Sequence, residues 1–292
     1  MTHLHVGYGL VNMLVPGDPD KFTISTALGT WEFERFADPN ADLRQGIEEG
    51  HAKDSYMIFL DIPVHGSRAA VQDQAVDELL YICLSASYLC GQAVTLGRAL
   101  PMSDLSFLSA GGFFPRMRGF ASTLEVTSNL VEYVNIMEAF VQSFPQLDTT
   151  EKARLLVHHW LDGLSCWSLE DLTLSTSTML EVIAATAKDH ARANGVTLTK
   201  NDFPHRIEYA ADRFGIIRLG SDFRNMRNDL VHEGTLSSSK FPGKDSLECA
   251  KAVSECLDWI DTYMHTAFSL GPVVRRRFKP NYWAGLNSFS LG

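Results

Sequence analysis

No stretch of this chain approaches the roughly 18 consecutive apolar residues that suggest a membrane helix, so no membrane partner is expected. The N-terminus, Met1-Thr2-His3-Leu4-His5, lacks the basic start and apolar run of a secretory signal, which points to a cytoplasmic protein. Cys-x-x-Cys pairs are missing as well. The five cysteines, Cys83, Cys90, Cys166, Cys249 and Cys256, are odd in number, and two pairs lie seven apart. On a helix each such pair shares a face. That is the pattern of buried apolar thiols, and neither a zinc site nor a disulfide framework. Gly7-Tyr8-Gly9 is followed by Asn12 rather than the third glycine of a dinucleotide fingerprint. A phosphate-cradling Gly-x4-Gly-Lys run, a nucleophile elbow and His-Glu-x-x-His are all absent. His3 and His5 would share one strand face without a third ligand nearby, and His158 and His159 point apart on a helix. No metal and no cofactor is expected.

What is present is an ordinary globular composition, 45% hydrophobic and 21% charged over 292 residues, enough for one large domain or two of common size. The net charge of -10 is unevenly placed. Residues 1–150 carry 8 Lys/Arg against 18 Asp/Glu, while residues 151–292 carry 17 of each. A polyanion is therefore better received by the second half.

Residues 1–148 read as a mixed α/β region of no recognised family. Period-two alternation predicts strands at 22–26 and 31–36, with a third at 56–64 and a short helix near 42–49. From Ala69 to about Ala99 one helix is expected, with Val71, Ala75, Leu79, Ile82, Cys83 and Ala86 on one face. Residues 111–116 form a loop with aromatics, and a helix over 123–144 ends near Pro145. The boundary falls in Ser143–Thr150, with Thr149 or Thr150 capping the next helix. Residues 149–270 read as an all-α domain with helices at 151–167, 169–194, 203–214, 217–233 and 246–268. Asn194-Gly195 and Gly234 act as stops, 235–244 as a loop, and Asp245 or Ser246 as the last cap. The fold class is α+β: a mixed region followed by a helical bundle. The tail, 271–292, carries Arg275-Arg276-Arg277-Phe278-Lys279, Tyr282 and Trp283. Such interleaving suits a single strand of nucleic acid, but the plainer expectation is an extension packed on the N-terminal region.

One run carries chemistry: Phe223-Arg224-Asn225-Met226-Arg227-Asn228-Asp229-Leu230-Val231-His232-Glu233-Gly234. Arg227 and His232 are five apart on a helix, about 140° around and roughly 7.5 Å along. Asn228 and His232 share a face. A guanidinium fork suits a phosphate, and an imidazole donates or accepts a proton near neutrality. Arg227 has Asp229 and Glu233 as local pairing candidates. Arg206, Arg213, Arg218 and Arg224 are interspersed with Glu208, Asp212 and Asp222 and read as a solvated, paired surface.

Here the sequence resembles the HEPN superfamily, and especially its Apea-like branch, over about residues 150–268. The resemblance rests on Arg227-Asn228, three residues and His232, on Glu233-Gly234, and on the apolar helix Leu247–Phe268 with Trp259 and Tyr263. The helix containing Met179-Leu180-Glu181 resembles the family helix that packs on the motif. The resemblance implies a homodimeric, metal-independent endoribonuclease with Arg227, Asn228 and His232 as catalytic residues and Arg224 and Glu181 nearby for substrate. It also implies RNA (transfer or messenger) as partner, with an antitoxin or phage-derived trigger as in host-defence and toxin proteins. Some HEPN proteins do not cut and serve as nucleotide-binding or interaction modules.

Overall fold

The computed structural model describes residues 3–36, 43–48, 51–105, 115, 125–166, 168–233, 246–271, 273 and 275–278. The loop residues 111–114 and 116, Gly234, the 235–244 loop, Asp245, Tyr282 and Trp283 lie outside the described residues. The architecture is α+β, with an antiparallel sheet in the N-terminal part and a helical C-terminal region. The chain divides into two compact units, residues 1–145 and 146–292.

The first unit is built on five strands: β1 (His3–Val11), β2 (Lys21–Ser25), β3 (Thr30–Arg35), β4 (Asp54–Pro63) and β5 (Thr95–Ala99). Their order is β2-β3-β4-β1-β5, and every pairing is antiparallel. Alternation in β2 and β3 buries Phe22, Ile24, Trp31 and Phe33 and leaves Lys21, Thr23, Thr30 and Glu32 outside. The register sets Phe22 opposite Phe33, whose rings stack at 4.4 Å, and Ile24 opposite Trp31. Such cross-strand pairs are the unit of sheet stability.

Helix α1 (Leu43–Glu48) precedes β4, and α2 (Arg68–Cys90) follows it. Ser67 caps α2 by accepting from the Ala70 N–H. The expected helix to Ala99 is nine residues too long. Gly91 takes the left-handed conformation (φ 74°) and its N–H returns to the Ser87 carbonyl, closing the helix. The chain then runs back along β1 as β5. From Glu78 to Cys90 α2 is buried almost all round, so an unbroken apolar pattern hid the point where helix gives way to strand. The Glu78 carboxylate lies inside but is well supplied: it accepts from Trp31 Nε1 at 2.8 Å, Thr26 Oγ1 at 2.6 Å and the Leu28 N–H at 3.3 Å.

Helix α3 (Leu130–Glu151) departs from expectation in both directions. It starts later than residue 123 and runs through Pro145, so the segment 143–150 is helical and the N-cap position of the next helix falls to Lys152 rather than to Thr149 or Thr150. Pro145 removes one backbone donor, but Phe144, Leu147 and Glu151 are buried and hold the turns in place. Thr150 donates to the Gln146 carbonyl within the helix. The break comes instead at Lys152, in the left-handed region at φ 56°.

The second unit is helical: α4 (Ala153–Leu164), α5 (Leu169–Ala193), α6 (Phe203–Phe214), α7 (Ser221–Glu233) and α8 (Ser246–Ala267). Ser168 caps α5 through the Asp171 N–H, and Glu170 and Asp171 at its start complement the dipole. Asp202 caps α6 through the His205 N–H, and Gly215 closes it in the left-handed region. Helix α5 is the spine, packed by α4, α6, α7 and α8. Helix α7 begins at Ser221 rather than 217. The preceding segment is pinned in another shape: the Ile217 carbonyl accepts from Trp259 Nε1 at 2.6 Å, and Arg218 grips Asp212 through two nitrogens.

The described part of the tail lies in this unit, on α4 and α8, whereas the sequence suggests an extension onto the N-terminal region. Arg277 is buried against Asp261 at 3.2 Å and over the Trp160 ring at 4.5 Å, and Phe278 is buried beside Trp160. A guanidinium stacked on indole and paired with a carboxylate is a strong anchor. Cys83, Cys90, Cys249 and Cys256 are buried and Cys166 is half-exposed; none of the five forms a disulfide. Burial pushes the Cys83 and Cys256 thiols well up, as apolar thiols require.

Candidate functional site

Helix α7 presents two faces. Phe223, Met226 and Asp229 face inward at three-residue steps, and Val231 and His232 face solvent. Arg224, Arg227 and Asn228 are half-buried between them.

Arg227 is fixed from two other helices. Its Nη2 donates to Glu181 Oε1 on α5 at 2.7 Å, and its guanidinium lies 5.4 Å from the Phe203 ring of α6. The partner is thus not Asp229, and the side chain of Glu233, the other local candidate, lies outside the described residues. Position 181 is 46 residues back in the chain, and only the α5–α7 packing makes the pair. The Glu181 side chain is 48% exposed and that of Arg227 is 23% exposed, so the ion pair is weak as a source of stability but directional as a constraint. Arg227 Nε is buried without a hydrogen-bond partner among the described residues. A carboxylate beside the guanidinium repels a phosphate and fixes the direction in which Arg227 points.

His232 makes no hydrogen bond or ion pair among the described residues, and neither do Asn228 and Arg224. The other arginines of this region are engaged: Arg206 donates to Asn201, Arg218 to Asp212 and Glu208, and Arg213 to Glu151. The Arg218 cation holds the Asp212 carboxyl below the usual range. Arg213 is not a solvated surface group. It makes a two-point bond to Glu151, itself 3% exposed, at 2.6 and 3.2 Å, and Tyr263 Oη donates to the same carboxylate at 3.2 Å. Burial, with Glu151 alongside, raises the Tyr263 hydroxyl far above its ordinary range.

The sequence suggests Asp229 only as a partner for Arg227, whereas it is wholly buried with both carboxylate oxygens unpartnered among the described residues. The signal was available: a carboxylate falls where the Phe223–Met226 spacing calls for an apolar residue. Sequence reasoning missed a groove of about 730 Å³ at the start of α7, lined by Ile217, Ser221, Asp258, Trp259 and Arg276 among others. Burial raises the Asp258 carboxyl above the usual range, against the opposing pull of Arg276 at 3.3 Å.

His5 Nδ1 contacts Asp61 in the sheet. Among the described residues no group of three or more His, Cys, Asp or Glu is placed to hold a metal ion. No described helix is long and apolar enough to cross a membrane. No family model matches this chain, and no curated protein or solved structure does either.

Proposed function

We propose that the helical unit is a metal-independent endoribonuclease of the HEPN type, with Arg227, Asn228 and His232 as its reacting set. The observation that carries this reading is the contrast along one helix. Arg227 is oriented from α5 and α6, while His232, five residues on, is exposed and engages no described residue. A guanidinium has five N–H donors, and Glu181 takes one, which leaves donors for a phosphate. Arg224, one turn earlier and without a partner among the described residues, adds a second cation on the same side.

RNA brings its own nucleophile, the 2′-hydroxyl. Cleavage needs a base for that proton, an acid for the leaving 5′-oxygen, and a cation for the charge that builds on phosphorus. One copy of the motif supplies one imidazole. Two copies across a two-fold axis supply base and acid together, so the working form is a homodimer through the helical unit. His232 moves protons, Arg227 clamps the phosphate and Asn228 orients. The products are a 2′,3′-cyclic phosphate and a 5′-hydroxyl. The target is transfer or messenger RNA, and the role is host defence or toxin-type growth arrest. The acidic N-terminal unit senses or restrains in response to an antitoxin or phage-derived trigger.

The ion pair also favours a second reading, a non-catalytic nucleotide-binding or interaction module, because Glu181 competes with a phosphate for Arg227. Incubating wild type and His232→Ala with total and transfer RNA in EDTA separates the two. Cleavage by wild type alone, with cyclic-phosphate ends, supports the nuclease. Equal activity in both proteins overturns it, and nucleotide binding without cleavage supports the module.

A further inference from the structure

Asp229 occupies a place on α7 where packing asks for an apolar side chain. Phe223, Met226 and Asp229 are 2%, 0% and 0% exposed. Both oxygens of the carboxylate lack a hydrogen-bond partner among the described residues, and a carboxylate held that way is strongly unfavourable. Arg227 does not relieve it: it projects about 200° away around the helix and is held by Glu181. His232 stands one turn on, about 60° around, with side-chain bases about 5–6 Å apart. Helical side chains lean toward the N-terminus, which is the direction from position 232 to position 229. The imidazole makes no hydrogen bond among the described residues. An unserved acceptor on the inward face and an unserved donor on the exposed face lie one turn apart on the same helix. Hydrogen bonds of this kind are commonly long or open before substrate binds.

We propose that Asp229 is the positioning residue of His232: its buried carboxylate accepts the Nδ1–H of the imidazole and leaves Nε2 facing solvent as the nitrogen that exchanges protons with RNA. This rests on the ribonuclease reading for its purpose, but the contact can be tested apart from it. The carboxylate fixes ring and tautomer. As base, Nε2 takes the 2′-hydroxyl proton, and the imidazolium so formed is balanced by the charge beneath it.

The experiment is ¹⁵N spectroscopy of the full-length protein labelled at histidine, in wild type and in Asp229→Leu, which keeps the branched shape and removes the acceptors. In wild type His232 is expected as the Nδ1-protonated tautomer, and its ring signals shift in the variant. With RNA, kcat of the variant falls by at least roughly tenfold while KM holds. An Nε2-protonated His232 in wild type, or identical ring signals in the two proteins, overturns the proposal; the second result is expected if Asn225, one turn back, serves the carboxylate instead. Should Asp229→Leu fail to fold, the wild-type tautomer decides alone. Should wild type not cleave RNA, the ribonuclease reading fails while the tautomer still decides the contact.

Discussion

Each unit of this protein buries a carboxylate, and the two are treated in opposite ways. Glu78, in the first unit, is met by an indole N–H, a hydroxyl and a backbone N–H from the β2–β3 hairpin. Asp229, in the second, is more deeply buried and is met by no described residue. A buried charge with its donors supplied ties elements together. A buried charge without them is carried against stability. Glu151 follows the first pattern within the second unit, with Arg213 and Tyr263 around it. The exception is therefore local to α7.

The largest expected effect is on activity. His232→Ala should lower RNA cleavage by roughly 10²–10⁴-fold with a melting temperature close to wild type, because an exposed side chain with no bonding partner among the described residues contributes little to stability. Full activity in that variant would remove α7 from the chemistry. Next come the satisfied carboxylates. Glu78→Ala strands three donors inside the first unit, and Arg213→Ala strands Glu151 inside the second. Each should cost about 3–5 kcal/mol in urea unfolding, and a loss below about 1 kcal/mol would show that these networks are not the ties described. Asp229→Leu should do the reverse and raise stability by about 1–3 kcal/mol while cleavage falls. Opposite signs at the two carboxylates are the sharpest form of the comparison, and a destabilised Asp229→Leu would erase it. The smallest effect is at Glu181→Gln. Its half-exposed ion pair should be worth about 0.2–1 kcal/mol, and cleavage should slow less than in His232→Ala, since Arg227 loses direction rather than charge. Faster cleavage would make Glu181 a competitor of phosphate.

Much of the helical unit was legible because its signals are local. The helices expected at 169–194 and 203–214 are α5 and α6, which the structure shows capped by Ser168, Asp202 and Gly215, and the run from Arg227 to His232 marks its own helix. The errors came where local signals conflict with packing. Pro145 reads as an end, yet buried neighbours on either side keep α3 helical through it. Apolar residues through Ala99 read as one helix, yet Gly91 turns the chain and β1 accepts the next segment as a strand. Ile217 reads as the start of α7, yet Trp259 on α8 takes its carbonyl.

The sequence by itself determined the α+β class, the strand faces of β2 and β3, and the spacing that puts Arg227, Asn228 and His232 on one helix, because periodicity and caps act over a few residues. Tertiary structure alone decided that Arg227 meets Glu181 and Phe203, that Arg277 is buried over Trp160, and that Asp229 is enclosed without a partner among the described residues. Those outcomes depend on which side chains distant helices bring together, and no local pattern encodes a contact across 46 residues.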